Sequence, residues 1–229
     1  MIETNIKEVQ ERIRQACERS GRSVSEITLI AVSKTKPFEM IEEAYTAGMR
    51  EFGENKPQEL RDKAKQCQLP IRWHMIGTLQ SNKIKYVVGT ACCIHSVDSI
   101  NLAAAIEKEA KKQETKIDIL LEVNIAKEAS KHGFLQEEVM DAVNEISKMP
   151  HLCLRGLMTV APYTENAEEN RIYFRKMKQL LIDISSKNID NISMDILSMG
   201  MSSDYEIAIE EGATMIRVGT GIFGERIYL

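Results

Sequence analysis

A lysine closes the first apolar run of the chain, Thr28-Leu29-Ile30-Ala31-Val32-Ser33-Lys34. An extended backbone alternates its side chains, so Lys34 shares a face with Thr28, Ile30 and Val32. An ammonium at the end of such a face is partly desolvated, which favours the neutral amine and moves its pKa toward about 7–8. That amine can attack a carbonyl and form a Schiff base. The same position also suits a lysine that simply reaches solvent at a strand end, and position by itself favours this plainer reading. Lys36, directly before Pro37, reads as a solvated loop charge.

Two turns of small residues lie near the C-terminus, Ser198-Met199-Gly200-Met201-Ser202-Ser203-Asp204 and Arg217-Val218-Gly219-Thr220-Gly221-Ile222-Phe223-Gly224. Small residues let backbone N–H groups approach an anion, and a helix start favours negative charge. An amine together with an anion cradle suits an aldehyde-bearing phosphate. Pyridoxal 5′-phosphate fits that description, and so does a sugar phosphate bound by a Schiff-base aldolase. Arg217 lies inside an apolar run, where an unpaired guanidinium is costly. A structural ion pair and a ligand contact explain it equally well. Beside a pyridine ring, an arginine donates to the nitrogen and keeps it unprotonated, because a permanent cation cannot accept a proton. His74, at the end of another run, is either a packed, hydrogen-bonded histidine or an acid–base catalyst. Asn55, after Glu51-Phe52-Gly53-Glu54, either caps a turn or touches ligand. Cys92 and Cys93 read as core thiols. The four histidines have no close ligand spacing, so no metal site is expected.

These residues need elements to carry them. Ile2, Ile6, Val9, Ile13 and Cys17 recur at helical spacing until Gly21, which predicts an opening helix. Apolar runs then begin near Thr28, Glu51, Arg72, Cys92, Ile117, Leu152, Met194 and Thr214, at intervals of 20 to 42 residues. Each interval is long enough for a crossover helix and too long for a hairpin. Pro37 and Pro57 sit where helices would start, and Ser202-Ser203-Asp204 offers capping side chains. Eight such units predict an α/β fold, a (β/α)8 TIM barrel with an additional N-terminal helix, spanning residues 1–229 as one domain. A doubly wound open sheet is the alternative. In a barrel, Lys34 and the two glycine turns fall at the C-terminal face, and the turns follow strands seven and eight, where phosphate sites recur.

Composition narrows the classes. The chain has 229 residues, 43% hydrophobic and 28% charged, as in a folded globular protein. Thirty basic against thirty-four acidic side chains give a net charge of -4, which disfavours nucleic acid and anionic membranes as partners. No apolar run approaches the roughly 18 residues of a membrane span. The charged N-terminus lacks a signal-peptide pattern, and five scattered cysteines point to a reducing, cytoplasmic setting.

The segments AVSKTKP, FGEN followed by QE, WHMIGTLQSNK, Asn124…Glu128…Lys131…Gly133, RGLM, LSMGMSSD and RVGTGIFGER occur in this order. Together they resemble the pyridoxal phosphate homeostasis protein family, with Lys56-Pro57 and Gly221 as small departures. The resemblance implies a barrel like the N-terminal domain of fold-type III pyridoxal phosphate enzymes such as alanine racemase. It implies Lys34, rather than Lys36, as the Schiff-base lysine. Ser202, Gly219 and Thr220 then match phosphate-cradling positions, with the backbone near Met201 helping. Arg217 matches the arginine beside the pyridine nitrogen, and Asn55 a residue lining the cofactor. The implied activity is holding pyridoxal phosphate for vitamin B6 homeostasis, as a cytoplasmic monomer, with apo-enzymes as recipients and no established turnover. A minimal racemase, using Lys34 and His74 as two bases, is the alternative. Racemases of this fold take a second base from a separate β domain. Leu229 follows Gly224 by five residues, so no such domain is expected.

Overall fold

The apolar stripe of Ile2, Ile6, Val9, Ile13 and Cys17 folds as α1 (Ile2–Ser20), and Gly21 ends it at φ 67. The structure, a computed structural model, describes residues 1–225. The strands are β1 (Thr28–Val32), β2 (Glu51–Glu54), β3 (Arg72–Met75) and β4 (Cys93–Val97). They continue as β5 (Ile117–Glu122), β6 (Leu152–Met158), β7 (Ile192–Met201) and β8 (Met215–Val218). The crossover helices are α2 (Phe38–Thr46), α3 (Pro57–Gln66), α4 (Ile100–Lys112), α5 (Val139–Ile146), α6 (Arg171–Ser185), α7 (Tyr205–Glu210) and α8 (Thr220–Phe223).

All neighbouring strands pair in parallel, and β8 returns to β1 with Thr28 opposite Met215 and Ala31 opposite Val218. The sheet is therefore a closed barrel, not a doubly wound open one. β7 begins at Ile192, two residues earlier than the apolar pattern suggests. A turn through Asn188 and Asn191, both at positive φ, ends there and lets Ile192 pair with Leu154. The crossover from β3 to β4 departs further, because it forms only a 3-10 segment, Ser81–Tyr86. Its apolar residues Ile84, Val87 and Val88 make one short buried stripe, too short to specify a longer helix.

The N-terminal helix has a definite place. Among the described residues α8 is a single turn, and α1 lies against α7, α8 and α2, filling the ring beside it. Asn5 Nδ2 donates to the Ile222 carbonyl at 2.9 Å, and Arg22 Nη1 donates to the carbonyls of Ile209 and Ala213, both at 2.7 Å.

Two kinds of interior result. Between sheet and helices lies an apolar core that includes Phe52, Ile94, Ile119, Leu121, Leu197 and Ile216. The lumen differs: Cys93, Leu120 and Met158 form a separate small apolar cluster, alongside buried His74, His95, Ser198 and Arg217. Arg72 at the start of β3 pairs with Glu51 at the start of β2 at 2.8 Å, and Arg155 within β6 pairs with Asp195 within β7 at 2.7 Å. Among the described residues no helix is long and apolar enough to cross a membrane.

Ile6 is 1% exposed beneath α1. Ile6→Ala should lower unfolding free energy by about 2–5 kcal/mol, through lost transfer energy and a residual cavity. Ile172→Ala, at a position 56% exposed, should change it by less than about 0.5 kcal/mol. Urea unfolding of both variants checks the pair.

Candidate functional site

Lys34 stands two residues past the last residue of β1, on a turn braced from below. Ser33 is fully buried, and its Oγ donates to Glu54 Oε1 at 2.6 Å. Lys63, on α3, donates to the Ser33 carbonyl at 2.8 Å, to Glu54 Oε1 at 2.8 Å and to Glu59 Oε1 at 2.7 Å. Burial pushes the Glu54 carboxyl above the usual carboxylate range, against the lowering influence of Lys63. Glu59 also accepts the Thr35 N–H at 2.6 Å. Thr35 sits at φ 62, a left-handed conformation that costs a β-branched residue about 1–3 kcal/mol and persists only where its surroundings enforce it.

Across the C-terminal face, the other turns converge. Gly200 has φ 91, and a Cβ there would lie 2.6 Å from the Ala208 side chain and 2.9 Å from the Tyr205 backbone. The β7–β8 register shifts at this point, from Ser198 opposite Met215 to Met201 opposite Arg217. The extra residue carries Ser202 to the start of α8, where its Oγ accepts the N–H groups of Gly219 (3.3 Å) and Gly221 (3.4 Å). Asp204 does not cap α7 with its side chain. It turns back instead, accepting from the Met201 N–H at 2.7 Å and from Asn170 Nδ2 at 2.9 Å. The Met201 N–H is thereby taken within its own loop.

Arg217, on β8, is 4% exposed. Its Nη1 donates to Ser198 Oγ at 2.6 Å and its Nη2 to the Thr159 carbonyl at 2.8 Å. Among the described residues no carboxylate comes within 4.0 Å of it, so the structural ion pair allowed by the sequence is not formed. Burial lowers its pKa to about 10, which leaves it protonated at neutral pH. Asn55 is set by a close approach: a Cβ on Gly77 would lie 2.4 Å from the Asn55 carbonyl oxygen. Among the described residues, Asn55 Oδ1 is buried without a hydrogen-bond partner.

Lys34, Asn55, Met201, Ser202, Arg217, Gly219 and Thr220 all line one cavity of ≈ 520 Å³. All seven are residues that the sequence singles out. Lys36 also lines it, yet not as a solvated charge: its Nζ donates to the carbonyls of Phe223 (3.1 Å), Gly224 (3.2 Å) and Glu225 (3.2 Å). The cavity offers an amine, a hydroxyl-and-glycine turn, a buried cation and an amide oxygen without a hydrogen-bond partner among the described residues. That donor set fits an aldehyde-bearing phosphate with a nitrogen heterocycle.

The family model for the N-terminal domain of alanine racemase matches residues 4–227. A pyridoxal phosphate homeostasis protein of Aquifex aeolicus is 44% identical over 224 residues, covering 97% of each chain. The solved structure of PipY from Synechococcus elongatus with pyridoxal phosphate bound has a TM-score of 0.82 at 35% identity, covering 94% of this chain and 100% of that one. This chain belongs to the pyridoxal phosphate homeostasis protein family. An alanine racemase of Clostridium difficile shares the fold alone, with a TM-score of 0.76 at 14% identity, over 99% of this chain and 57% of that one.

Within this family fold, the family stretch after β5 builds a loop beside the cavity. Asn124 Nδ2 donates to the Glu128 carbonyl at 2.9 Å, and Lys131 Nζ to the Ala161 carbonyl at 3.1 Å. His74 does not line the cavity. It is 1% exposed in the lumen, with Nδ1 2.9 Å from His95 Nε2 and Nε2 2.7 Å from Glu51 Oε2. The fold also brings ligand atoms of His74, Cys93 and His95 within 4.8 Å of one another, a proximity that sequence spacing did not signal. Burial pushes the neighbouring Cys92 thiol up to about 12. Sequence reasoning missed Lys63 and His95. A lysine on the buried stripe of α3 beside Pro57 and Leu60 was the available signal for the first, and a histidine inside an otherwise apolar strand for the second.

His95 is fully buried, and desolvation, then the neighbouring His74 and Arg217, hold its pKa well below the usual 6.5. The unfolded chain takes up this proton near pH 6.5 while the folded chain does not. Its contribution to stability is therefore present above about pH 6.5 and lost as pH falls below it. From pH 7.5 to 5.5 the parent chain should lose about 1.4 kcal/mol relative to His95→Gln, as read from urea unfolding at the two pH values.

Proposed function

We propose that this chain binds pyridoxal 5′-phosphate in the ≈ 520 Å³ cavity, attaches it reversibly at Lys34, and serves vitamin B6 homeostasis by holding and releasing it. The observation that carries this reading is that Lys34, Asn55, Ser202, Arg217, Gly219 and Thr220 all line one cavity. When bound, the cofactor supplies an aldehyde that a lysine amine can capture and give up. Each residue has a part in holding it. The turn over Glu54 and Lys63 aims the Lys34 amine at the cavity. Ser202 Oγ, which accepts the Gly219 and Gly221 N–H groups, has a hydroxyl proton to give a phosphate, and a helix start favours such an anion. Arg217 donates toward a ring nitrogen without being able to take its proton. Asn55 Oδ1 awaits a donor.

The relatives named pyridoxal phosphate homeostasis proteins, and PipY with pyridoxal phosphate bound at 35% identity, support the reading. The lining also favours holding over turnover. Among the described lining residues, Lys34 and Lys36 are the side chains that become proton acceptors when neutral, and Lys36 is tied to three carbonyls. His74, which a two-base racemase would call on, is committed to His95 and Glu51 away from the cavity. Apo-enzymes that use the cofactor are the natural recipients of what this site releases.

Purified protein loaded with the cofactor should show a visible absorption band, and borohydride should fix it to Lys34 in peptide mapping. Lys34→Ala should lose the band, while label on Lys36 would refute the assignment. Ser202→Ala should weaken binding about tenfold, the scale of one hydrogen bond to a charged group. Amino acids incubated in heavy water should keep their α-protons; robust exchange that depends on Lys34 would make the chain a racemase.

A further inference from the structure

A hydrogen-bond chain crosses the barrel lumen below the cavity, with a group that can only donate at one end and one that can only accept at the other. Arg217 Nη1 lies 2.6 Å from Ser198 Oγ, and a guanidinium can only donate, so Ser198 Oγ accepts there. Ser198 keeps its hydroxyl proton available for donation, and His95 Nδ1, 2.9 Å away, is positioned to accept it. A ring nitrogen that accepts carries no proton, so His95 holds its proton on Nε2 and donates to His74 Nδ1 at 2.9 Å. The same reasoning places the His74 proton on Nε2, donating to Glu51 Oε2 at 2.7 Å. A carboxylate oxygen can only accept, and the other oxygen of Glu51 is held by Arg72 at 2.8 Å. Cys92 Sγ, 3.6 Å from His74 Nε2, is a weak second contact. Every link therefore points the same way, from the Arg217 cation to the Glu51 carboxylate, through neutral groups.

The path runs from β8 to β7, across the lumen to β4, then to β3 and β2, joining opposite walls of the barrel. Both nitrogens of both rings are used. His74, Cys93 and His95 have the composition of a soft-metal site, but their nitrogens are already committed. We propose that Ser198, His95, His74 and Glu51 are positioning residues for Arg217, a one-way relay that fixes the guanidinium toward the cavity. A carboxylate beside Arg217 would fix it too, but would cancel its charge where the cavity needs it. A neutral relay keeps the charge in place, with its own terminal carboxylate, Glu51, at the far end of the lumen. Among the described residues no carboxylate lies within 4.0 Å of the guanidinium. Aligned donors polarise one another, so the links reinforce each other. The inference rests on the cofactor reading only in naming what Arg217 faces.

Nitrogen-15 shifts of the histidines test the relay in the unloaded protein. Both His95 and His74 should be protonated at Nε2 at pH 7.5, and an Nδ1–H tautomer at either ring would overturn the proposal. So would uptake of one zinc ion per chain, with zinc added alone, that displaces those signals. Spectroscopic titration with pyridoxal phosphate provides the second arm. Ser198→Ala cuts the link beside Arg217 and should raise Kd about tenfold and shift the visible band. In His95→Gln the amide oxygen accepts from Ser198 and the amide nitrogen donates to His74, so Kd should stay within about threefold and the band should not move. An unchanged Ser198→Ala protein, or equal losses in the two variants, would show packing alone and sink the relay. If the parent chain binds no pyridoxal phosphate, the cofactor reading fails, and the nitrogen shifts still decide the relay.

Discussion

Burying a guanidinium inside a barrel without a carboxylate beside it is the demand that shapes this lumen. Arg217 is 4% exposed, and burial lowers its pKa only to about 10, so it remains a cation that must be satisfied by neutral acceptors. The Thr159 carbonyl just past β6 and the Ser198 hydroxyl on β7 supply them. Ser198 serves Arg217 as an acceptor, and its second contact in the lumen is His95 Nδ1 at 2.9 Å. A polar layer through the lumen follows from one residue. The small apolar cluster of Cys93, Leu120 and Met158 fills what that layer leaves.

The lysine side of the cavity solves a different problem. There the difficulty is conformational, since Thr35 must hold a positive φ for Lys34 to stand where it does. The solution is a charged brace of Lys63 between Glu54 and Glu59, buried under the turn. The two devices place Lys34 and Arg217 on one cavity, together with Lys36. The described lining residues include no carboxylate, and a basic site with a low-dielectric wall focuses a field that attracts an anion. Asp204 and Glu122 act on Arg217 from a distance, and Glu54 is paired with Lys63 under the lysine turn.

Alternation, spacing and residue type exposed much of this in the sequence. Strand-end Lys34, intrastrand Arg217 and the two glycine turns are anomalies within otherwise apolar or helical patterns, and anomalies of that kind are readable one segment at a time. Lys36 was not, because its partners are carbonyls of residues 223–225, nearly two hundred positions away. His95 was hidden for the same reason, since its partner Ser198 is 103 residues distant across the barrel. The place of α1 was also unreadable. A leading helix is visible from its stripe, but that it fills the ring beside a one-turn α8 depends on closure of the sheet. Closure itself was implied by the count of eight runs, and the pairing of β1 with β8 is a property of the assembled strands.

The two sides of the cavity differ in how easily they can move. Arg217 belongs to β8, where its neighbours pair along β1 and its side chain is anchored at two points. Displacing it requires opening the barrel. Lys34 belongs to a turn outside the strands, whose left-handed residue is held through one exposed-edge carboxylate, Glu59, rather than by a ladder of backbone bonds. Segments with few such bonds open locally at lower free energy than the strands that flank them. Under the proposed attachment at Lys34, a fixed cation for recognition and a yielding turn for attachment keep a ligand oriented while its covalent tether is made and broken. Holding and releasing calls for that asymmetry, whereas sustained proton transfer at two faces of a bound substrate would call for rigidity on both.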